Sequence, residues 1–134
     1  MKKDKATGSC LCGAVKFEIG LPTKWCSHCH CSLCRRAHGA GFVTWVGVYA
    51  ERFSITAGES ELRRYRSSSE AIRSFCGSCG STLLFESQKW PGEVHVALAN
   101  IDTPIDRDPE GQAHPEDRVS WIPDWEITPK HQIH

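Results

Sequence analysis

Four of the chain's eight cysteines fall within the stretch Cys26-Ser-His-Cys-His-Cys-Ser-Leu-Cys34. Within it, Cys29, Cys31 and Cys34 form C-x-C-x-x-C. Residues two apart on an extended chain share a face, and the turn that follows can return one more thiolate, so three sulfurs converge on a single ion. Clustered soft thiolates select zinc, copper(I) or iron–sulfur, and zinc is the redox-inert choice. Three protein ligands leave the fourth tetrahedral position to a substrate, which is the pattern of catalytic zinc. Cys26 is a possible extra ligand. With its sulfur on the ion, Cys26, Cys29, Cys31 and Cys34 form a closed site by themselves.

Cys10 and Cys12 make a second group, Cys76 and Cys79 a third, each followed by a glycine (Gly13, Gly80) and flanked by strand-like sequence. Two knuckles from distant segments are how a closed four-sulfur zinc site is usually assembled. Such an ion contributes folding energy directly, on the order of 10 kcal/mol in small zinc peptides. Gly13 can take the positive φ that a turn behind a ligand needs. Buried apolar cysteine pairs are the blander alternative, against which the repeated trailing glycine counts. Disulfides are another, but thiols this close in sequence make poor bridge partners.

Other residues near these sulfurs carry weaker signals. His28 and His30 flank Cys29 and read as loop residues or as donors behind the ligands, with ligation as the alternative. Arg35 and Arg36 follow the last thiolate. A guanidinium beside an open zinc binds a carboxylate bidentately and lowers a thiol's pKa, so Arg35 joins Cys31 as a candidate catalytic group, with plain surface charge as its alternative. Phe42, Trp45 and Phe75 are expected in the core. His95 alternates with Val94, Val96 and Leu98 and is expected to face solvent. His114, His131 and His134 lie in a loose tail. No Ser-His-Asp constellation is apparent, and Gly39-Ala-Gly41 lacks the helix signal of a phosphate loop.

These groups must be positioned by strands. Val15–Ile19 alternates apolar and polar residues, and 42–49, 53–55, 61–65 and 94–98 are rich in aromatic and β-branched residues. Residues 70–75 lead into Cys76-Gly-Ser-Cys79 and 82–85 lead away, which predicts a hairpin tipped by a zinc knuckle. Residues 35–38 have room for one helical turn before Gly39. Residues 1–6 read as a frayed end. Beyond Asn100, five prolines forbid long ladders, so 101–134 is expected to run extended over the surface, pinned by Trp121 and Trp125.

The chain of 134 residues fits one domain, 1–134, that buries roughly two thirds of its unfolded surface. Lys and Arg total 16, as do Asp and Glu, so no charge argument favours nucleic acid. Seven thiolates on two zinc ions would leave about three net negative charges. No apolar run follows the first lysines and none is long enough to span a membrane, so a cytoplasmic, reducing setting with free thiols is expected.

Gly8-Ser-Cys-Leu-Cys-Gly-Ala-Val-Lys-Phe17, Cys29-His-Cys-Ser-Leu-Cys-Arg35 with Gly39-Ala40 behind it, and Phe75-Cys-Gly-Ser-Cys-Gly-Ser-Thr-Leu83 together resemble the glutathione-dependent formaldehyde-activating enzyme family, whose domain is shared with centromere protein V. The resemblance implies a mainly β, β-tent fold of antiparallel sheets. It implies a structural zinc at Cys10, Cys12, Cys76 and Cys79, and a second, catalytic-type zinc at Cys29, Cys31 and Cys34. The implied activity is carbon–sulfur lyase chemistry that joins a small thiol such as glutathione to an aldehyde such as formaldehyde. Only a few per cent of a free thiol is thiolate at neutral pH, whereas a metal-coordinated one is deprotonated. The chain is short for enzymes that grip a tripeptide, and Cys26 stands outside the family motif. Alternatives are a non-enzymatic zinc module for partner binding, and a thiol or metal sensor in which Cys26 exchanges with the central thiols.

Overall fold

The computed structural model describes residues 4–123. The chain runs through β1 (Lys5–Ser9), β2 (Lys16–Gly20), β3 (Trp25–Cys29), helix α1 (Ser32–His38), β4 (Val43–Tyr49), β5 (Phe53–Ala57), β6 (Leu62–Arg66), β7 (Ala71–Cys76), β8 (Thr82–Ser87), β9 (Glu93–Ala97) and the short β10 (Gln112–Ala113). Strands β1, β2 and β5 form a three-stranded sheet in the order β1-β2-β5, and the other seven form a second in the order β10-β3-β4-β9-β8-β7-β6. Every strand pairing is antiparallel except that of β10 on β3. The mainly β, β-tent fold of antiparallel sheets is therefore present, with this parallel edge as the exception.

The alternation in β2 buries Phe17 and Ile19 and leaves Lys16 exposed. Those two side chains join Val46 and Val48 of β4, Leu84 of β8, and Val94 and Val96 of β9 in one cluster, so the core lies between the sheets. Each such side chain contributes about 1.5–3 kcal/mol on burial. A bulge between Ser74 and Phe75 makes Leu83 the extra residue of the β7–β8 pair, which lets consecutive Leu83 and Leu84 both be buried.

Register sorts the large sheet into two faces, because side chains directly opposite each other share a face. Trp25 faces Gly47, Gly47 faces His95, His95 faces Phe85, and Phe85 faces Arg73, forming one transverse row. The adjacent row, Cys26, Val46, Val96 and Leu84, points the other way, into the core. Glycine is needed at position 47, since a Cβ there would strike the Trp25 indole.

Some boundaries differ from those expected. β1 starts at Lys5, inside the stretch predicted to fray, because Lys5–Ser9 pairs along its whole length with β2. The helix is longer than one turn: it begins at Ser32, capped by Cys31, whose sulfur accepts a bond from the Cys34 backbone N–H at 3.3 Å, and stops at Gly39 with φ of 62°. Among the described residues beyond 100, the regular structure is the two-residue β10 ladder and a 3-10 turn over Pro115–Asp117, with an isolated bridge from Ile101 to Gly8. Along the β3 edge, Glu110 N–H donates to Cys26 O at 2.9 Å, while His28 N–H donates to Gly111 O and His30 N–H to Ala113 O at 3.0 Å. Trp121 is 70% exposed, so it does not pin the tail by burial. The edge of its ring nevertheless lies over Gly41 beside the half-buried Ile122, which a Cβ at that position would strike. Trp125, His131 and His134 lie outside the described residues. No helix among the described residues is long and apolar enough to cross a membrane.

Candidate metal centres and the cavity beside them

All eight cysteines are free thiols. Cys10 and Cys12 sit on the turn between β1 and β2, while Cys76 ends β7 and Cys79 follows in the turn to β8. Gly13 and Gly80 take φ of 81° and 83°, so both knuckles turn through the glycine behind them. The four sulfurs lie within 4.8 Å of one another. The Val15 N–H donates to Cys10 Sγ at 3.3 Å and the Ser78 N–H to Cys76 Sγ at 3.4 Å. Hydrogen bonds with the Ser81 side chain and backbone hold Cys79 down to about 5. Backbone donors aimed at sulfur, with one thiolate already favoured, suit a soft divalent ion in this group.

The second group is Cys29 at the end of β3, Cys31 capping α1 and Cys34 in its first turn, and their sulfurs also lie within 4.8 Å of one another. Cys29 donates to Cys34 Sγ at 3.6 Å. That bond is the largest influence holding Cys34 down to about 4, with Arg73 adding to it, and the same bond and burial push Cys29 up. The Arg73 guanidinium, buried in β7, lies 3.7 and 3.8 Å from Cys34 Sγ. Three thiolates around a divalent ion leave one negative charge, which this cation balances. The donor set fits zinc.

Cys26 is not part of this group. In a strand, positions three apart face opposite ways, so Cys29 shares the face of Trp25 while Cys26 enters the core, fully buried among Val46 and its neighbours. Burial pushes its thiol up to about 12. The closed site of Cys26, Cys29, Cys31 and Cys34 is thereby corrected. His28 Nδ1 lies 2.7 Å from Thr44 Oγ1 and His30 Nε2 lies 2.6 Å from Gln112 Oε1, and neither imidazole joins the sulfurs. His114, Glu116 and Asp117 are a further close group, all exposed.

Cys29, Cys31 and Cys34 line a cavity of about 630 Å³, and no member of the four-cysteine group does. Trp25, Trp45, Phe85 and Trp90 form its apolar walls, with Arg73 and His95 among the polar groups. Trp45 is thus buried as expected yet also a wall of the site. Arg35 is not part of the lining: its Nε donates to His30 O at 3.2 Å. The cation at the sulfurs is Arg73, which sequence reasoning missed. In sequence it is an arginine two residues from Ala71 in a strand that also carries Ser74, which does not by itself mark it as buried.

His95 is 5% exposed, not solvated, because β9 is a central strand whose second face is covered by aromatic rings. Its ring lies 4.7 Å from Trp25, 5.4 Å from Trp90 and 5.6 Å from Phe85. Its Nε2 is 2.9 Å from Glu93 Oε1, and Lys24 Nζ is 2.6 Å from Glu93 Oε2. Burial lowers the His95 pKa, against the opposing pull of Glu93.

A β-tent with one sulfur group joining its turns and another on the wall of a cavity defines a protein able to hold metal ions at two places, one of them within reach of a small molecule. The comparisons make that class specific. The sequence pattern of the glutathione-dependent formaldehyde-activating enzyme family matches residues 5–119, and the chain belongs to that family. It is 32% identical over 124 residues to a Halomonas elongata protein whose name places it in the same family, covering 86% of this chain and 78% of that one. An uncharacterized lyase of Schizosaccharomyces pombe is 35% identical over 78 residues, 58% of this chain and 55% of its own. A Rhodobacter sphaeroides crystal structure superposes with a TM-score of 0.66 at 25% identity, over 80% of this chain and 99% of that one. The family and these names make the chain an enzyme of the carbon–sulfur lyase type.

Proposed function

We propose that the enzyme joins a small, glutathione-like thiol to a formaldehyde-like aldehyde in a zinc-dependent reaction, in a cytoplasmic setting. Cys10, Cys12, Cys76 and Cys79 hold a zinc ion that ties the first turn to the middle of the large sheet. Cys29, Cys31 and Cys34 hold a second, with Arg73 rather than Arg35 as the cation beside it. Zinc there supplies a positive centre that favours the thiolate form of an incoming thiol. Arg73 offsets the charge of the sulfurs, and the aromatic walls restrict water around the reacting atoms.

The single observation carrying this reading is that the three-cysteine group lines the cavity while the four-cysteine group does not. A partner-binding module or a thiol sensor would use the same sulfurs without needing that cavity, and Cys26 is turned away from any exchange with the central thiols. Zinc-loaded protein incubated with glutathione and formaldehyde should form the S-hydroxymethyl adduct faster than the spontaneous reaction, as followed by NMR. No acceleration across a panel of thiols and aldehydes defeats the reading.

A further inference from the structure

Adding a thiol to an aldehyde moves one proton. The carbon–sulfur bond forms, the carbonyl π bond breaks, and the oxygen must gain the proton that the sulfur gives up. A group on the cavity wall that takes up and returns a single proton accelerates both halves of that exchange. The metal ligands are unsuited to it, since they are bound through the atoms that would carry the proton. Arg73 is unsuited as well, because a guanidinium does not release one.

The geometry points to His95 as the proton carrier of this enzyme, held in one tautomer by Glu93. Glu93 is 11% exposed and paired with Lys24; burial pulls its carboxyl up, but the bonds and charges of Lys24 and His95 outweigh that and leave it below the usual range. A carboxylate only accepts, so the His95 Nε2, 2.9 Å away, carries the hydrogen and Nδ1 keeps its lone pair. No other hydrogen bond to this ring is present among the described residues. Trp25 meets the ring edge-on at 78° between planes, and Phe85 and Trp90 pack around it, so its orientation is fixed.

The ring also stands on the right face. His95, Phe85 and Arg73 are successive members of one transverse row, and Arg73 reaches Cys34 Sγ. The His95 imidazole and the Arg73 guanidinium therefore flank the Phe85 ring, and the guanidinium carries on to Cys34 Sγ, all on the wall of one cavity. The inference rests on the thiol–aldehyde reading above. Nδ1 accepts the proton of the incoming thiol, and the sulfur electron pair bonds to the carbonyl carbon. The π pair moves to oxygen, and Nδ1–H returns the proton there. Glu93 stabilises the imidazolium in the interval. Burial keeps the resting ring neutral and ready to accept, while of the charged groups acting on it Glu93 and Cys34 favour the imidazolium and Lys24 opposes it.

The test is His95→Gln in the zinc-loaded full chain, which keeps a side-chain amide able to donate to Glu93. With glutathione and formaldehyde, kcat should fall by roughly 100-fold or more while KM for the thiol changes by less than about twofold, and the acid limb of the pH profile should vanish. Zinc per chain, and thermal unfolding above the ordinary histidine range, should match the wild type. Glu93→Gln should keep the acid limb but move it to lower pH, since the neutral partner no longer favours the imidazolium. Independently of turnover, 15N NMR of histidine-labelled wild type should show the hydrogen of His95 on Nε2. Wild-type kcat and an intact acid limb in His95→Gln overturn the inference alone, as does a hydrogen found on Nδ1. A wild type that accelerates nothing defeats the lyase reading and this role with it.

Discussion

The Arg73 guanidinium lies 3.7 Å from Cys34 Sγ while its carbon centre sits 4.8 Å over the Phe85 ring. A buried cation is held by sulfur on one side and a π face on the other, so it is committed to the three-cysteine group. Arg73→Met should weaken zinc at that group by roughly 10–100-fold in chelator competition, as loss of an outer partner of metal ligands does. Arg35→Met, which removes only a bond to the His30 carbonyl, should change it by less than about twofold on the same scale.

The two sulfur groups should separate stability from activity. Cys79→Ser breaks the set that joins the β1–β2 turn to β7, and the melt should lose cooperativity or shift strongly downward, because structural zinc carries several kcal/mol or more of folding free energy. Cys31→Ser should leave circular dichroism intact while abolishing adduct formation and one zinc per chain. Both are read by elemental analysis beside a thermal scan.

Cys26 should behave as a core residue. Cys26→Ser places a hydroxyl in a fully buried apolar site and should cost about 1–3 kcal/mol in urea unfolding. Its zinc content should equal that of the wild type, and a lost ion would restore Cys26 as a ligand.

Gly47→Ala tests the packing of Trp25, whose indole occupies the space of the new methyl group. The ring must shift into the cavity or the strands must part, at about 1–3 kcal/mol of stability. A change in tryptophan emission together with a raised KM is the expected pair of readouts.

The stability of the zinc-loaded protein should carry a histidine signature. The folded-state pKa of His95 is lowered from 6.5, chiefly by burial. The unfolded chain therefore takes up this proton first as pH falls. The contribution of His95 is complete above its unfolded value, is lost progressively below it, and stops changing once pH passes the lowered folded value. Urea unfolding in that window should have a steeper pH dependence in the wild type than in His95→Gln.

The thiol groups were legible in sequence because ligand spacing is local: C-x-C-x-x-C and two knuckles with trailing glycines announce themselves. The strands were legible too, from alternation in segments such as Phe17 to Ile19. Cys26 was ambiguous only while the extent of β3 was unknown, since its distance of three from Cys29 separates them once the segment is extended. His95 and Arg73 were out of reach for another reason. Their environment comes from neighbours across the sheet, Gly47, Phe85 and the indoles of Trp25 and Trp90, brought together by pairings between segments remote in sequence.

Because the residues from Trp25 to Arg73 are contributed singly by five neighbouring strands, the chemistry of this enzyme depends on odd and even numbering. Losing or gaining a single amino acid within β9 would send His95 toward the hydrocarbon interior and bring Val94 or Val96 out in its place. A change of two would keep the orientation. Connections outside the strands escape this constraint, so length variation among relatives should gather there.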